Sequence, residues 1–572
     1  GLNYIPQIFL EHRFADIPLD EVVENEFWVE SVSILKANLF VAAEPDPFPI
    51  RMMNFGCGPD SLKIYQEEEI QQKAGKPLLG LLTDAQTNNA PFVTRTEAFE
   101  RVVAQSRPKG LEREDVRIRI YPKEGNEKRT WLIPYMGDGS FAVAAGLRHF
   151  GIEAQALPTK TQRGAGIACK YITTEVCQPL KGVVGDALGF LEEKIKEKGK
   201  EYVQQNYLIM IPSADGPCRF GKYKEALRNF ADKEGYEKIP IVGPSSENDY
   251  FDIPLDSELE KVNLQKILFK GILASDLLED ITLRFRPYVK DREGINGLKK
   301  ERLRQLERVL ERGAKTEELV RWGEETVRIF KETGGQNNKR FPLVIYAGEI
   351  YMRQHDPFTN WTIERLEEQG LEMIRGSVTE WLDYVNGMNL RNLRREIILG
   401  LANRELKKAL ENAKKFAASF IKRAYTGHIE RRIAHPFHKV LSGRHTIPDP
   451  MKIIRTLERE HEFHGDIEGE SPISGGEAYY LMHDLIKPEG DAIISGMFHV
   501  GPFTCMQEGA ATAKIEAKAK ELRKTKPDLI FPIIHAFFGD SPDPNLDCEI
   551  AVFREQCYQK REMLKTTFHH LK

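Results

Sequence analysis

The sequence predicts an α/β protein: several Rossmann-like, flavodoxin-like three-layer units with mostly parallel sheets, plus a helical insertion. Two observations carry this. Short apolar runs that end in Gly/Pro-rich turns and lead into amphipathic stretches recur along the chain, which is the rhythm of strand, loop and helix in a parallel sheet. One long stretch between them is dense in charge, with apolar residues at three-to-four spacing, as an exposed helix requires. At 572 residues the chain is also too long for a single hydrophobic core.

The elements follow in order. RMMNFGCGPDS at 51 to 61 is the first apolar run with its turn, and TWLIPYMGDGSFAVAAGLRHFG from 130 is the second. NYLIMIPSADGPCRFGKYKEALRNF from 206 repeats the pattern, as does PLVIYAGEIYMRQHDPFTNWTIERLEEQG from 342 with a longer loop. The last is DAIISGMFHVGPFTCMQEGAATAKIEAKAKEL from 491. Between about 256 and 338, KDREGINGLKKERLRQLERVLERGAKTEELVRWGEETVRIFKE supplies the charged helices, and 390 to 425 is a second helical block rich in helix formers and free of Pro. The expected division is 1–125 and 126–255 as Rossmann-like units, 256–338 as the helical insertion, 339–485 as an α/β unit with a helical connection, and 486–572 as a C-terminal α/β segment.

Hydrophobic residues make up 41% and charged residues 29%, an ordinary globular composition. A net charge of -4, from 82 basic and 86 acidic residues, argues against nucleic acid or an anionic membrane as partner. No apolar run reaches the roughly 18 to 20 residues that span a bilayer, and the start, GLNYIPQIFLEH, lacks the regions of a signal peptide, so a cytoplasmic location is expected. Seven cysteines in a chain of this size are not a disulfide scaffold.

Four of those cysteines share a setting. Cys57 in GCGPD, Cys177 in EVCQP, Cys218 in GPCRFG and Cys505 in GPFTCMQ each have Gly or Pro close by. At least three follow an expected strand, where an open parallel sheet places its binding crevice. Thiolates select zinc or iron-sulfur clusters. None of the four belongs to a C-x-x-C pair, so spacing excludes zinc fingers and ferredoxin runs, and any one of them alone is more often a structural thiol. Cys169, Cys548 and Cys557 are read as structural.

The phrases around these cysteines are longer than the cysteines themselves. NFGCGPDS, TTEVCQP with the following VVGD, DGPCRFGKY, GEIYMRQHDPFTN and GPFTCM, in this order, resemble the successive signatures of the 2-hydroxyacyl-CoA dehydratase and benzoyl-CoA reductase subunit family, especially the C-terminal region of the large CoA-substrate enzyme activases. The resemblance covers roughly residues 1 to 260 and 340 to 560. It implies an iron-sulfur protein of an ATP-coupled, low-potential electron-transfer or reductase system, holding a 4Fe-4S cubane or a double-cubane 8Fe-9S cluster. By the same resemblance Cys57, Cys177, Cys218 and Cys505 are the ligands, and Arg219 tunes the cluster by charge or hydrogen bonding.

The implied partner is an ATP-hydrolysing activator protein or an upstream ATPase domain, since no G-x-x-x-x-G-K-[ST] loop occurs here. An acyl-CoA substrate is implied by the family alone, and pairing into a homodimer is an expectation of the same kind. GLNYIPQ resembles the middle of a family unit, so the first unit is expected to be truncated at its N-terminus. LLTDAQTNNAPFVTRTEAF departs from the family's acidic, His-containing run, which favours the alternative of a non-catalytic scaffold or redox-sensing module. A zinc-thiolate site in the same thiols is the third reading.

Other residues take blander roles. Glu349 and Arg353 are read as an ion pair holding a loop in preference to a catalytic acid or an anion clamp. His355, His499 and His535 lie near expected strand ends, and His461 and His464 in HEFHGD are read as a surface helix end.

Overall fold

The computed structural model describes residues 3–19, 26, 28–53, 58, 60–83, 89–111, 128–158, 162–172, 176–214, 216–244, 253–255, 257–335, 340–527 and 529–569. Ten strands occur among them: β1 (Ile50–Met53), β2 (Leu79–Leu82), β3 (Thr130–Ile133), β4 (Ala154–Ala156), β5 (Tyr207–Met210), β6 (Ile241–Val242), β7 (Leu343–Gly348), β8 (Glu372–Arg375), β9 (Ile494–Pro502) and β10 (Ile533–Phe538). The described ladders run parallel. The protein is α/β, and the five apolar runs noted above become β1, β3, β5, β7 and β9.

The chain groups into two compact units that interleave in sequence: residues 1–126, 162–252 and 503–506 form unit 1, and residues 127–161, 253–502 and 507–572 form unit 2. In unit 1, β1 pairs with β2 (Ile50 opposite Leu79) and β5 with β6 (Ile209 opposite Ile241). The helix Gln178–Lys198 starts directly after Cys177 because Pro179 fits a first turn, where no N–H is needed. It buries Leu180, Val183, Val184, Leu188 and Leu191. Full burial of such side chains is worth roughly 1.5–3 kcal/mol each. The helix packs against Gln162–Ala168 at its closest where Gly185 meets Gly164. A Cβ on Gly185 would fall on the Gly164 carbonyl, so only glycine allows this approach and with it the placement of Cys177.

In unit 2, four parallel strands run in the order β10-β9-β7-β8. Every residue of β7 and β9 is buried, so β7 reads as a continuous apolar run and β9 as one broken only by Ser495 and His499. The expected helical insertion consists of Glu258–Phe285, Arg292–Glu311 and Thr316–Gly334, the first opened by a capping box between Ser257 and Glu260. These helices share one core with Ile429, Ile433 and Phe437.

The second helical block, expected over about 390 to 425, is a hairpin of two long helices, Val378–Ala402 and Leu406–Ala434. The break falls at Asn403 to Glu405, where Arg404 turns the chain at φ +61. No helix among the described residues is long and apolar enough to cross a membrane.

Candidate metal centre

Unit 1 gathers the cysteine motifs around one side chain. Arg219 begins a short 3-10 turn after Cys218 and is only 5% exposed. Its Nη1 donates to the Val176 carbonyl and, at 3.4 Å, to Ser61 Oγ. Its Nη2 donates to the Thr504 carbonyl at 2.7 Å and to Thr504 Oγ1 at 3.3 Å. Ser61 Oγ in turn donates to the carbonyl of Gly58 at 2.9 Å. A single guanidinium thus ties together the residue before Cys177, the residue before Cys505, its own neighbour Cys218, and the turn that follows Cys57. Cys57 itself lies outside the described residues.

The electrostatics agree with that geometry. Burial opposes the charge of Arg219, but Cys177, Tyr223, Cys505 and Cys218 in their anionic forms outweigh it and raise its pKa. The three described thiols therefore share one neighbouring cation. Cys177 is buried and shares a hydrogen bond of 2.8 Å with the Tyr223 hydroxyl. Cys218 is exposed and accepts from the Phe220 N–H at 3.5 Å. Cys505 is half-buried. Thr504 holds φ +72, a costly conformation for a β-branched residue, and both its carbonyl and its hydroxyl are engaged by Arg219.

The Cys218 turn is anchored from its other side. Lys222 lies 2.9 Å from Glu225 and 3.5 Å from Glu26, and Lys63 pairs with the same two carboxylates. Trp28 lies beneath both ammonium groups, with its Nε1 donating to the Gly216 carbonyl at 2.8 Å. These charges are mutually paired, so they hold the loop rather than offer themselves to a ligand.

As a donor set, soft thiols around a buried cation, with N–H and O–H groups aimed at sulfur, fit a thiolate-held cluster in chemical type. Among the described residues, no group of three His, Cys, Asp or Glu side chains is arranged to hold a metal ion. Cys169 and Cys548 are exposed, and Cys557 is buried with its thiol pushed well up by desolvation.

Unit 2 holds a second buried polar centre that sequence reasoning largely missed. Gly348, at φ +117, lets β7 turn against β9, and a Cβ there would fall on the Val500 carbonyl. Glu349 follows and caps the next short helix by accepting from the Met352 N–H at 2.8 Å. Burial first, then the charge of Glu508, pushes Glu349 up to about 7 against the lowering effect of its backbone hydrogen bonds.

Glu470, which accepts from the Ile350 N–H, and Glu477 are likewise pushed well up by burial and by neighbouring carboxylates. Arg353 is the cation facing them, and its ion pair is with Glu380 at 3.2 Å rather than with Glu349. His499 Nε2 meets Glu508 at 2.5 Å, and His499 Nδ1 meets His535 Nδ1 at 2.8 Å. Burial, then His499, pushes His535 down to about 3. His355 is buried among Tyr135, Tyr351 and Phe358, whereas His464 is exposed beside Asp466.

A cavity of about 10 Å³ beside Tyr135, Asp138, Asp276, Glu279 and Arg375 has room for a water and no more.

The signal that could have found the Glu477 site is a lone carboxylate in SPISGGEAYYLM, a helix otherwise made of small and apolar residues. No family model and no curated protein matches the chain.

Proposed function

We propose that this chain is a cytoplasmic iron-sulfur protein of an ATP-coupled, low-potential electron-transfer or reductase system of the 2-hydroxyacyl-CoA dehydratase kind. Cys57, Cys177, Cys218 and Cys505 are its cluster ligands. The observation that supports this is the convergence on Arg219 of all four cysteine-bearing motifs, through Ser61, Val176, Cys218 and Thr504. When bound, a 4Fe-4S or double-cubane cluster supplies one-electron chemistry at low potential.

The chain's own residues do the rest. Arg219 fixes the motifs and brings positive charge to the thiolates, which favours the reduced, more negative state. The Phe220 N–H and the Tyr223 hydroxyl act on the Cys218 and Cys177 sulfurs in the same direction. Exposed Cys218 gives the centre a solvent-facing edge at which an ATP-hydrolysing activator can deliver electrons.

The deciding experiment is iron and acid-labile sulfide per chain, with a visible spectrum, on anaerobically purified wild type and Cys218→Ala. The expected result is about four or eight irons per chain, reduced in the variant. Negligible iron after anaerobic reconstitution overturns the reading, and colourless zinc in its place makes the thiols a zinc site.

A further inference from the structure

The two-helix hairpin of unit 2 carries an apolar seam that none of the described residues covers. Between Asn389 and Tyr425 only Gly400 and Ala409 are buried, and these two face each other across the helices. Both roots of the hairpin are embedded: Tyr384 and Met388 on one side, Ile429 and Ile433 on the other, lie in hydrophobic clusters. The distal part is thus held firmly while solvent reaches it.

On that distal part Ile398, Leu401, Leu406, Leu410, Phe420 and Ile421 are between 55% and 69% exposed. A set this size is more than scattered surface apolars.

The spacing is specific. Leu406, Leu410, Ala413, Ala417, Phe420 and Ala424 repeat at alternating steps of four and three along Leu406–Ala434. This is a coiled-coil seam about 27 Å long at 1.5 Å per residue. The inner face of the same helix, with Ala409, is already used against Val378–Ala402, so the seam belongs to an additional helix.

The flanking charge says which kind. From Arg394 to Arg423 there are nine Lys and Arg against three Glu, in a chain whose net charge is -4. A second copy would bring the same excess of positive charge to the seam and be repelled. An anionic bilayer takes a wide apolar face lying in the interface plane, whereas the alternating four-and-three spacing leaves a narrow stripe, the width of a helix–helix seam.

We infer that the distal hairpin is a docking surface for a partner protein that presents an acidic, heptad-patterned amphipathic helix. Leu406, Leu410 and Phe420 are its apolar anchors, and Lys407 and Lys414, each one residue past a seam position, its charged rim. The inference is independent of the thiol centre and does not require iron.

The test uses the full chain and a fluorescein-labelled synthetic helix of about four heptads with Leu at a and d and Glu at e and g, followed by anisotropy. The wild type binds it, with affinity falling as salt rises. A peptide with Lys in place of Glu binds at least about tenfold more weakly. Leu410→Glu with Phe420→Glu, both exposed and checked for an unchanged circular dichroism spectrum, loses at least about tenfold as well.

Equal binding of the Glu and Lys peptides, or of wild type and variant, overturns the proposal. So does binding to phosphatidylserine vesicles without binding to the peptide. A sedimenting dimer that falls apart on Leu410→Glu would assign the seam to a second copy instead.

Discussion

Around Arg219 one buried cation faces groups that become anions only by losing a proton, the thiols of Cys177, Cys218 and Cys505. Around Arg353 one buried cation faces carboxyl groups that are already acidic, those of Glu349, Glu380, Glu470, Glu477 and Glu508. The first arrangement is the one that the proposed thiolate-held cluster would use. The second has too few cations for its carboxyls, so burial is relieved by keeping protons on Glu349, Glu470 and Glu477. The same physical rule, that a buried charge must be matched, thus sets a guanidinium among thiols in one unit and makes the other an acid-stabilised core.

The strongest way to break this comparison is Arg219→Gln. It removes the charge and the fork that spans Val176, Ser61 and Thr504. Iron affinity is expected to fall about 10- to 100-fold, and iron-free protein to lose on the order of 3 kcal/mol in a urea titration, since charge-assisted hydrogen bonds at a buried site are lost. Unchanged iron content would mean that the thiols do not depend on the shared cation.

The second test addresses the carboxyl centre through pH. Glu349 carries a folded pKa of about 7 against an ordinary 4.5, so the folded state holds its proton more tightly than the unfolded chain. Its contribution is therefore most favourable below pH 4.5, declines as pH rises from 4.5 to about 7, and is constant above. The decline is on the order of 3 kcal/mol, with Glu470 and Glu477 acting in the same direction. Urea midpoints across this window should show Glu349→Gln flattening the decline while iron content stays at the wild-type value. A slope that survives the substitution would remove Glu349 from the account.

A third, smaller effect sharpens the link between packing and the thiol centre. Gly185→Ala forces the helix Gln178–Lys198 away from Gly164, at about 2 kcal/mol for an overpacked contact. Because that helix begins right after Cys177, iron binding should weaken along with stability. Stability loss with full iron retention would show that Cys177 is placed by its turn alone.

The long buried strands and the charged helices were legible because burial writes itself into composition: β7 is apolar along its whole length and β9 is broken only by Ser495 and His499, while Arg292–Glu311 alternates charge with a core-facing stripe. One short strand, β8, was not. β8 reads Glu-Met-Ile-Arg yet is fully buried, since Glu372 is satisfied by Arg340 and Arg375 by Asp356 and Glu279. Partners distant in sequence allow charge inside, and one sequence does not reveal them.

The helical character of 390 to 425 was legible in its helix formers, but the turn at Asn403-Arg404-Glu405 was not, because it contains neither Gly nor Pro. Three of the four cysteine motifs reach Arg219 through backbone carbonyls or hydroxyls, contacts that no side-chain motif announces.

The smallest expected effect belongs to the thiols outside the Arg219 network, and it tests whether that network defines the ligand set. Cys169 is exposed in unit 1, eight residues before Cys177, and Cys548 is exposed in unit 2. Cys169→Ser and Cys548→Ser should each leave iron per chain unchanged and shift stability by no more than about 0.5 kcal/mol, as for surface sites without special contacts. Cys218 is exposed too, so exposure cannot separate it from Cys169; what separates them is the electrostatic contact of Cys218 with the buried guanidinium. If Cys169→Ser lost as much iron as Cys218→Ala, proximity in sequence to Cys177 would matter more than the shared cation, and Arg219 would be a structural clamp rather than the organiser of the thiols.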